Sequence, residues 1–140
     1  MAGYSGTPLL QKLGIKAGHR VSAINAPTDF EKMLGALPEG AAFVGTAAKN
    51  VDVIVAFYKS LANFEKQLPS LSNRIKVDGM IWIGWPKKAS GVATDLNENH
   101  VRDAALAIGL VDIKVCAIDD TWSGLKLVIR KENRAARAKA

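Results

Sequence analysis

"VDVIVAFYKS", residues 51–60, decides the fold. Six of its first eight side chains are apolar and three are valines. A continuous β-branched run of this length reads as a strand buried on both faces, as in a parallel sheet covered by helices. Lys59 and Ser60 then break the run, and Ser60 stands where a helix N-cap belongs. The apolar stripe that follows, Leu61, Phe64, Leu68, Leu71 and Ile75, has helical spacing, with Pro69 expected to kink or split it. A strand followed directly by an amphipathic helix is half of a βαβ unit.

Reading outward, the same alternation recurs. Downstream, "GMIWIGW" (79–85) is a second buried strand, and Val101, Ala104, Ala105 and Ile108 mark a helix closed by Gly109. "VDIKVCAI" (111–118) and "GLKLVIR" (124–130) are strand patterns separated by "DDTWS", a loop suited to a hairpin. Upstream, "HRVSAIN" (19–25) reads as a strand. Before it, Thr7 and Pro8 open a short helix as N-cap and first helical residue, with Leu9, Leu10 and Leu13 on its apolar face and Gly14 as its stop. In "PTDFEKMLGALPEG" (27–40), Thr28 and Glu31 have capping-box spacing; Phe30, Met33, Leu34 and Leu37 form a stripe that "PEG" ends. "AAFVG" (41–45) is a weaker strand. Only about five residues separate it from Val51, fewer than a parallel crossover usually needs. It is therefore either an antiparallel partner of its successor or an edge strand with a bare return loop.

Strands alternating with helices and closing in a hairpin predict an α/β fold: a Rossmann-like three-layer sandwich with a mixed, mostly parallel sheet and a C-terminal antiparallel hairpin. One domain is expected over residues 1–130, followed by a basic tail over 131–140. The 140-residue chain is 49% hydrophobic and 23% charged, a globular composition. Of its 19 basic and 13 acidic residues, five basic and one acidic fall in "RKENRAARAKA" (130–140). Residues 1–129 are thus left with 14 basic and 12 acidic side chains, so most of the net +6 is a property of the tail. Such a tail supports at most a weak, sequence-blind contact with nucleic acid. No apolar segment approaches the roughly 20 residues of a membrane span, and the N-terminus lacks a secretory pattern, so a cytoplasmic protein without membrane contact is expected. Cys116 is the sole cysteine and His19 and His100 lie far apart, so no metal site is expected.

Chemistry concentrates in "GWPKKASGVATDL" (84–96). Loops after the carboxyl ends of parallel strands line the ligand crevice of an open α/β sheet. Lys87 and Lys88 would emerge there, followed by the amides of Ser90 and Gly91, a natural seat for an anion. The "DDTWSG" loop (119–124) belongs to the same rim. A crevice lined by Asn25, Tyr58, Lys87, Lys88, Ser90 and Trp122 is therefore expected to bind an anionic small molecule or partner. A small enzyme using Lys88, Asp119 or Asp120 is the alternative, and an interaction protein working through the tail is a third. Asp119 and Asp120 are expected to cap backbone or to pair with Lys87 or Lys88. Trp82 and Trp85, three apart, belong on opposite sheet faces, with Trp82 in the core and Trp85 at the strand's mouth; Cys116 reads as a small buried residue.

The element order resembles a shortened S-adenosylmethionine-dependent methyltransferase fold, which also ends in a strand pair whose last strand is antiparallel. "GYSGTPLLQKLGIKAGHRV", "WPKKASGVATDL" and "VCAIDDTWSGLKLVIRKENR" further resemble an uncharacterised bacterial family, domain of unknown function 3052. The methyltransferase resemblance implies a glycine-rich turn after the first strand, where backbone approaches the cofactor. Here "INAPTDF" (24–30) offers Asn25, Ala26 and Pro27 instead, and no acidic residue ends the second strand to hold a ribose hydroxyl. The fold is expected to persist without that cofactor site, and no cofactor is expected.

Overall fold

The computed structural model describes residues 8–139, with side chains over 8–136. Its elements in chain order are α1 (Leu9–Leu13), β1 (Arg20–Ile24), α2 (Phe30–Leu34), β2 (Ala42–Phe43), β3 (Val51–Phe57), α3 (Leu61–Arg74), β4 (Ile75–Pro86), a 3-10 turn (Lys88–Ser90), α4 (Glu98–Ala107), β5 (Leu110–Ala117), β6 (Trp122–Ile129) and α5 (Lys131–Lys139). The strands form one sheet in the order β2-β1-β3-β4-β6-β5. β2, β1, β3 and β4 are parallel, while β6 runs antiparallel to both β4 and β5. This is the mixed three-layer sandwich expected from the alternation.

The central strands bury side chains on both faces because helices cover both. Ile54, Ala56, Ile81, Ile83 and Trp85 pack with Phe64, Leu68 and Leu71 of α3 and Val101 and Ala105 of α4. Val53, Val55, Phe57 and Trp82 pack on the other side with Leu9 and Leu13 of α1 and Phe30 and Leu34 of α2. Trp82 and Trp85 thus take opposite faces. The Trp82 indole N–H donates to the Leu13 carbonyl at 2.9 Å, which pins the end of α1 to the sheet. Gly84 and Gly124 face each other across β4 and β6. A Cβ on Gly84 would lie 3.0 Å from the Phe57 ring, and one on Gly124 2.9 Å from Ile118, so the two glycines admit those side chains.

Several local expectations change. β2 is an edge strand parallel to β1, and residues 44–50 return without a helix to β3 on the far side of β1. Arg74 makes that return possible: its Nε donates to the Ala48 carbonyl at 2.6 Å, and one Nη donates to Ser22 Oγ at 2.7 Å and the Gly45 carbonyl at 3.0 Å. The capping box at Thr28 and Glu31 does not form. α2 is capped by Asp29 without a side-chain bond and stops at Gly35, ahead of Leu37 and of "PEG". Pro69 lies inside an α3 that stays one continuous helix. Pro8 is the residue before α1 rather than its first, and Thr7 lies outside the described residues. Ile108, expected on the apolar face of α4, is 40% exposed, and Cys116 is half-buried rather than buried. The basic tail is helical, and its first turn docks: Asn133 Nδ2 donates to the Gly109 carbonyl and Arg134 Nε to the Ile129 carbonyl. Among the described residues, no helix is long and apolar enough to cross a membrane.

Candidate functional site

The chain leaves β1 for β2 on one side and reaches β3 on the other, so the strand order reverses between β1 and β3. Above the carboxyl ends of such a pair the outgoing loops diverge and leave a crevice. Here it is a cavity of about 600 Å³ lined by Asn25, Pro27 and Thr28 after β1, Phe57 to Ser60 after β3, Asn63 at the start of α3, and Trp122.

Asn25 takes the turn that glycine would otherwise serve. Its φ is +55°, in the left-handed region that asparagine tolerates better than most residues, and its side-chain amide donates to the Phe57 carbonyl at 3.1 Å. The tight turn out of β1 therefore survives without a glycine. The floor is aromatic: Phe57 meets Trp122 edge to face at 5.1 Å between ring centres and Phe30 at 5.2 Å. Tyr58 is buried, packs against Phe64, and its hydroxyl donates to Gln67 Oε1 at 2.6 Å. Burial pushes its phenol up to about 12, against the pull of the Arg74 guanidinium.

Ser60 caps α3 as its sequence position implies, accepting from the Asn63 amide at 3.2 Å. The neighbouring Leu61 amide donates to Asp95 at 2.7 Å, so a carboxylate of the chain already sits at this helix start. Lys59 is the cation at the crevice, and its carbonyl is held by the Thr94 hydroxyl at 2.6 Å.

Of the six residues expected to converge, Asn25, Tyr58 and Trp122 line this cavity; the dilysine segment does not. Lys87 and the hairpin tip are adjacent, since the Lys87 amide donates to the Thr121 carbonyl at 2.7 Å and Pro86 pairs with Trp122. Lys88, however, lines a separate cavity of about 300 Å³ with Trp85, Thr94, Asp95 and Asn97. The Ser90 and Gly91 amides donate to the Lys87 and Lys88 carbonyls, and Ser90 Oγ donates to the Lys87 carbonyl while accepting from Val92. Those donors close their own turn rather than facing the crevice. Asp119 caps backbone, as one expectation had it: its Oδ1 accepts from the Thr121 and Trp122 amides at 2.8 and 2.7 Å. None of the ion pairs found among the described residues joins Asp119 or Asp120 to Lys87 or Lys88. No group of three or more possible metal ligands occurs among the described residues.

Sequence reasoning passed over Pro27, Thr28, Phe57, Lys59, Ser60 and Asn63 as site residues. For the last four the signal lay in the opening stretch, because whatever follows β3 and starts α3 must border the crevice once β1 and β3 are neighbours. The residues after β2 are Val44 and Gly45, so no carboxylate stands at that strand's end.

Residues 11–131 match the family described as protein of unknown function, DUF3052. The chain belongs to the DUF3052 family. No curated protein matches it. Among solved structures, this DUF3052 chain is similar to an S-adenosylmethionine-dependent methyltransferase from Aquifex aeolicus, with 15% identity and a TM-score of 0.65 over 86% of this chain and 88% of that one. It is also similar to Aeropyrum pernix fibrillarin, solved with natively bound S-adenosyl-L-methionine, with 13% identity and a TM-score of 0.57 over 90% of this chain and 70% of that one. A third is the magnesium protoporphyrin IX methyltransferase of Synechocystis, with 11% identity and a TM-score of 0.58 over 86% and 78%. The DUF3052 chain therefore has a methyltransferase-like fold.

Proposed function

We propose that this domain binds an anionic small molecule with a flat apolar body in the crevice between β1 and β3, without catalysing a reaction on it. The observation that carries the reading is the composition of the cavity wall: Phe57, Tyr58 and Trp122 as rings, with Asn25, Thr28, Ser60, Asn63 and Lys59 as polar groups. A ring-shaped ligand gains area chiefly against Trp122, which is half-buried while Phe57 and Tyr58 back it from the core, and the hydroxyl and amide groups orient it. Lys59 and the positive end of α3 favour one anionic group, while Asp95 at the Leu61 amide limits how much negative charge that end accepts.

The non-catalytic part rests on what the wall lacks in proton chemistry. Its lining residues include no carboxylate, histidine or thiol, Tyr58 keeps its proton far above neutrality, and the nearby Asp119 is committed to two amides. S-Adenosylmethionine is the ligand of the fibrillarin relative, yet here Val44 and Gly45 stand where a ribose-binding carboxylate would follow the second strand.

Calorimetric titration with adenosine 5′-monophosphate and, separately, with S-adenosylmethionine tests this. The aromatic monophosphate is expected to bind, and Trp122→Ala and Lys59→Ala are each expected to weaken it about tenfold, about 1.4 kcal/mol. Micromolar binding of S-adenosylmethionine, about −8 kcal/mol, would replace this reading with a cofactor site. Mass spectrometry of the gently purified chain identifies any ligand that travels with it.

A further inference from the structure

We propose that Lys12, Lys16, Lys114 and Lys126 form a docking surface for the phosphate backbone of a nucleic acid. The four come from separate segments. Lys12 lies on α1, where its ammonium donates to the Ala117 carbonyl at 3.3 Å; Lys16 follows the end of α1 that Trp82 pins; Lys114 and Lys126 are direct cross-strand partners on β5 and β6. Lys126 is registered against Trp82 on its other side, which fixes it on the α1 face of the sheet, four residues along β6 from Trp122.

A register shift creates the lysine pair. Between Asp112 and Lys114 the β5–β6 ladder skips a residue. In unbroken register Ile113 would oppose Lys126. The skip instead turns Lys114 onto the α1 face and leaves Ile113 exposed. Like charges directly opposite on a sheet are destabilising, and exposing an isoleucine adds to that cost. Among the described residues no ion pair engages Lys16, Lys114 or Lys126. Lys126 is half-buried, and desolvation together with Lys114 and Lys16 lowers its pKa. An array of like charges held close by the fold is relieved by an external polyanion.

A nucleic acid fits better than an anionic membrane, because lipid surfaces are held by apolar insertion as well as by charge. Of the large apolar residues exposed among the described ones, Leu106, Ile108 and Val115 are on the α4 side of the sheet, away from the lysines, and Ile113 beside Lys114 is a single side chain, too little apolar surface to insert into a bilayer. None of the four lysines belongs to α5 or lines the crevice between β1 and β3.

The test is fluorescence anisotropy of a labelled 20-base-pair DNA duplex with the full chain, from 50 to 200 mM salt. Four phosphate contacts predict a slope of log K against log salt of about −3 to −4. Lys16→Gln with Lys114→Gln, both exposed and away from the core, is expected to flatten the slope by about 2 and to cost about tenfold or more in affinity at low salt. Lys126→Gln is expected to weaken binding in the same direction while raising Tm, since it removes repulsion. A control carrying Lys131→Gln, Arg137→Gln and Lys139→Gln is expected to keep the cluster-dependent part. An unchanged slope in the cluster variants, loss confined to the α5 control, or binding to phosphatidylserine vesicles without binding to the duplex each overturns the proposal.

Discussion

Tyr58 belongs both to the core and to the crevice, and its proton reports on which role dominates. Its phenol is buried and its hydroxyl donates to Gln67. Burial raises its pKa from the ordinary 10 to about 12, so the folded state holds the proton more tightly than the unfolded chain does. The associated stability is therefore complete below pH 10 and is lost as pH rises towards 12. A two-unit difference amounts to about 2–3 kcal/mol. Tyr58→Phe removes this dependence. Below pH 10 the variant is expected to be about 1 kcal/mol less stable than the parent, through loss of the Gln67 bond. Between pH 10 and 12 the parent is expected to lose that advantage and fall below the variant. Urea unfolding of both proteins at pH 9, 10, 11 and 12 checks it; parallel curves would mean that Tyr58 ionises freely.

At the scale of elements, the return from β2 to β3 is the least ordinary part of the fold. The wall of a parallel sheet is normally completed by a crossover helix, and here residues 44–50 do the work with backbone carbonyls facing inward. Arg74, at the end of α3, supplies three donors to that loop and to Ser22, itself fully buried. Burial lowers the Arg74 pKa, with Tyr58 opposing, yet a guanidinium stays charged throughout the accessible range. Arg74→Ala strands the Ala48 and Gly45 carbonyls and leaves a cavity, at an expected cost of about 3–5 kcal/mol. Arg74→Lys is expected to recover less than half, because an ammonium cannot reproduce a planar fork. Denaturant midpoints at constant m-value measure both. This contact also explains why the pairing of "AAFVG" was not legible. The return loop there is held by a cation 26 residues beyond Ala48, and no local pattern encodes that contact. By contrast, β3, α3 and its Ser60 cap were legible because a buried apolar run and a capping residue carry their own signal. The Thr28–Glu31 spacing carried the same kind of signal and failed, since α2 begins one residue past Asp29 and is too short to use it. Within the site, Asn25, Tyr58 and Trp122 were legible as loop residues at strand ends. Lys87 and Lys88 do not line the crevice: the turn they enter consumes its own amides, and Lys88 shares a separate cavity with Asp95 and Asn97.

At the scale of the whole molecule, we propose that the domain ends where β6 ends and that α5 is an attachment to it. The match to the DUF3052 family stops at Lys131, the first residue of α5. Among the described residues from there on, Asn133 and Arg134 satisfy the Gly109 and Ile129 carbonyls, and Arg130 pairs with Glu132 at an exposed site worth little in water. Among the described residues, every one lining the crevice precedes residue 123, and neither apolar layer extends past Ile129. A chain ending at Arg130 is therefore expected to fold, to keep its aromatic crevice, and to lose about 1 kcal/mol with a fall in Tm of roughly 2–8 °C. It also loses four of the basic residues that make the full chain so positively charged, Lys131, Arg134, Arg137 and Lys139. Ligand binding that survives this truncation belongs to the crevice, whereas binding lost with it belongs to α5. Thermal unfolding and the adenosine 5′-monophosphate titration, run on the truncated and full chains side by side, separate the two, and a truncated chain that cannot fold would mean that α5 is part of the core.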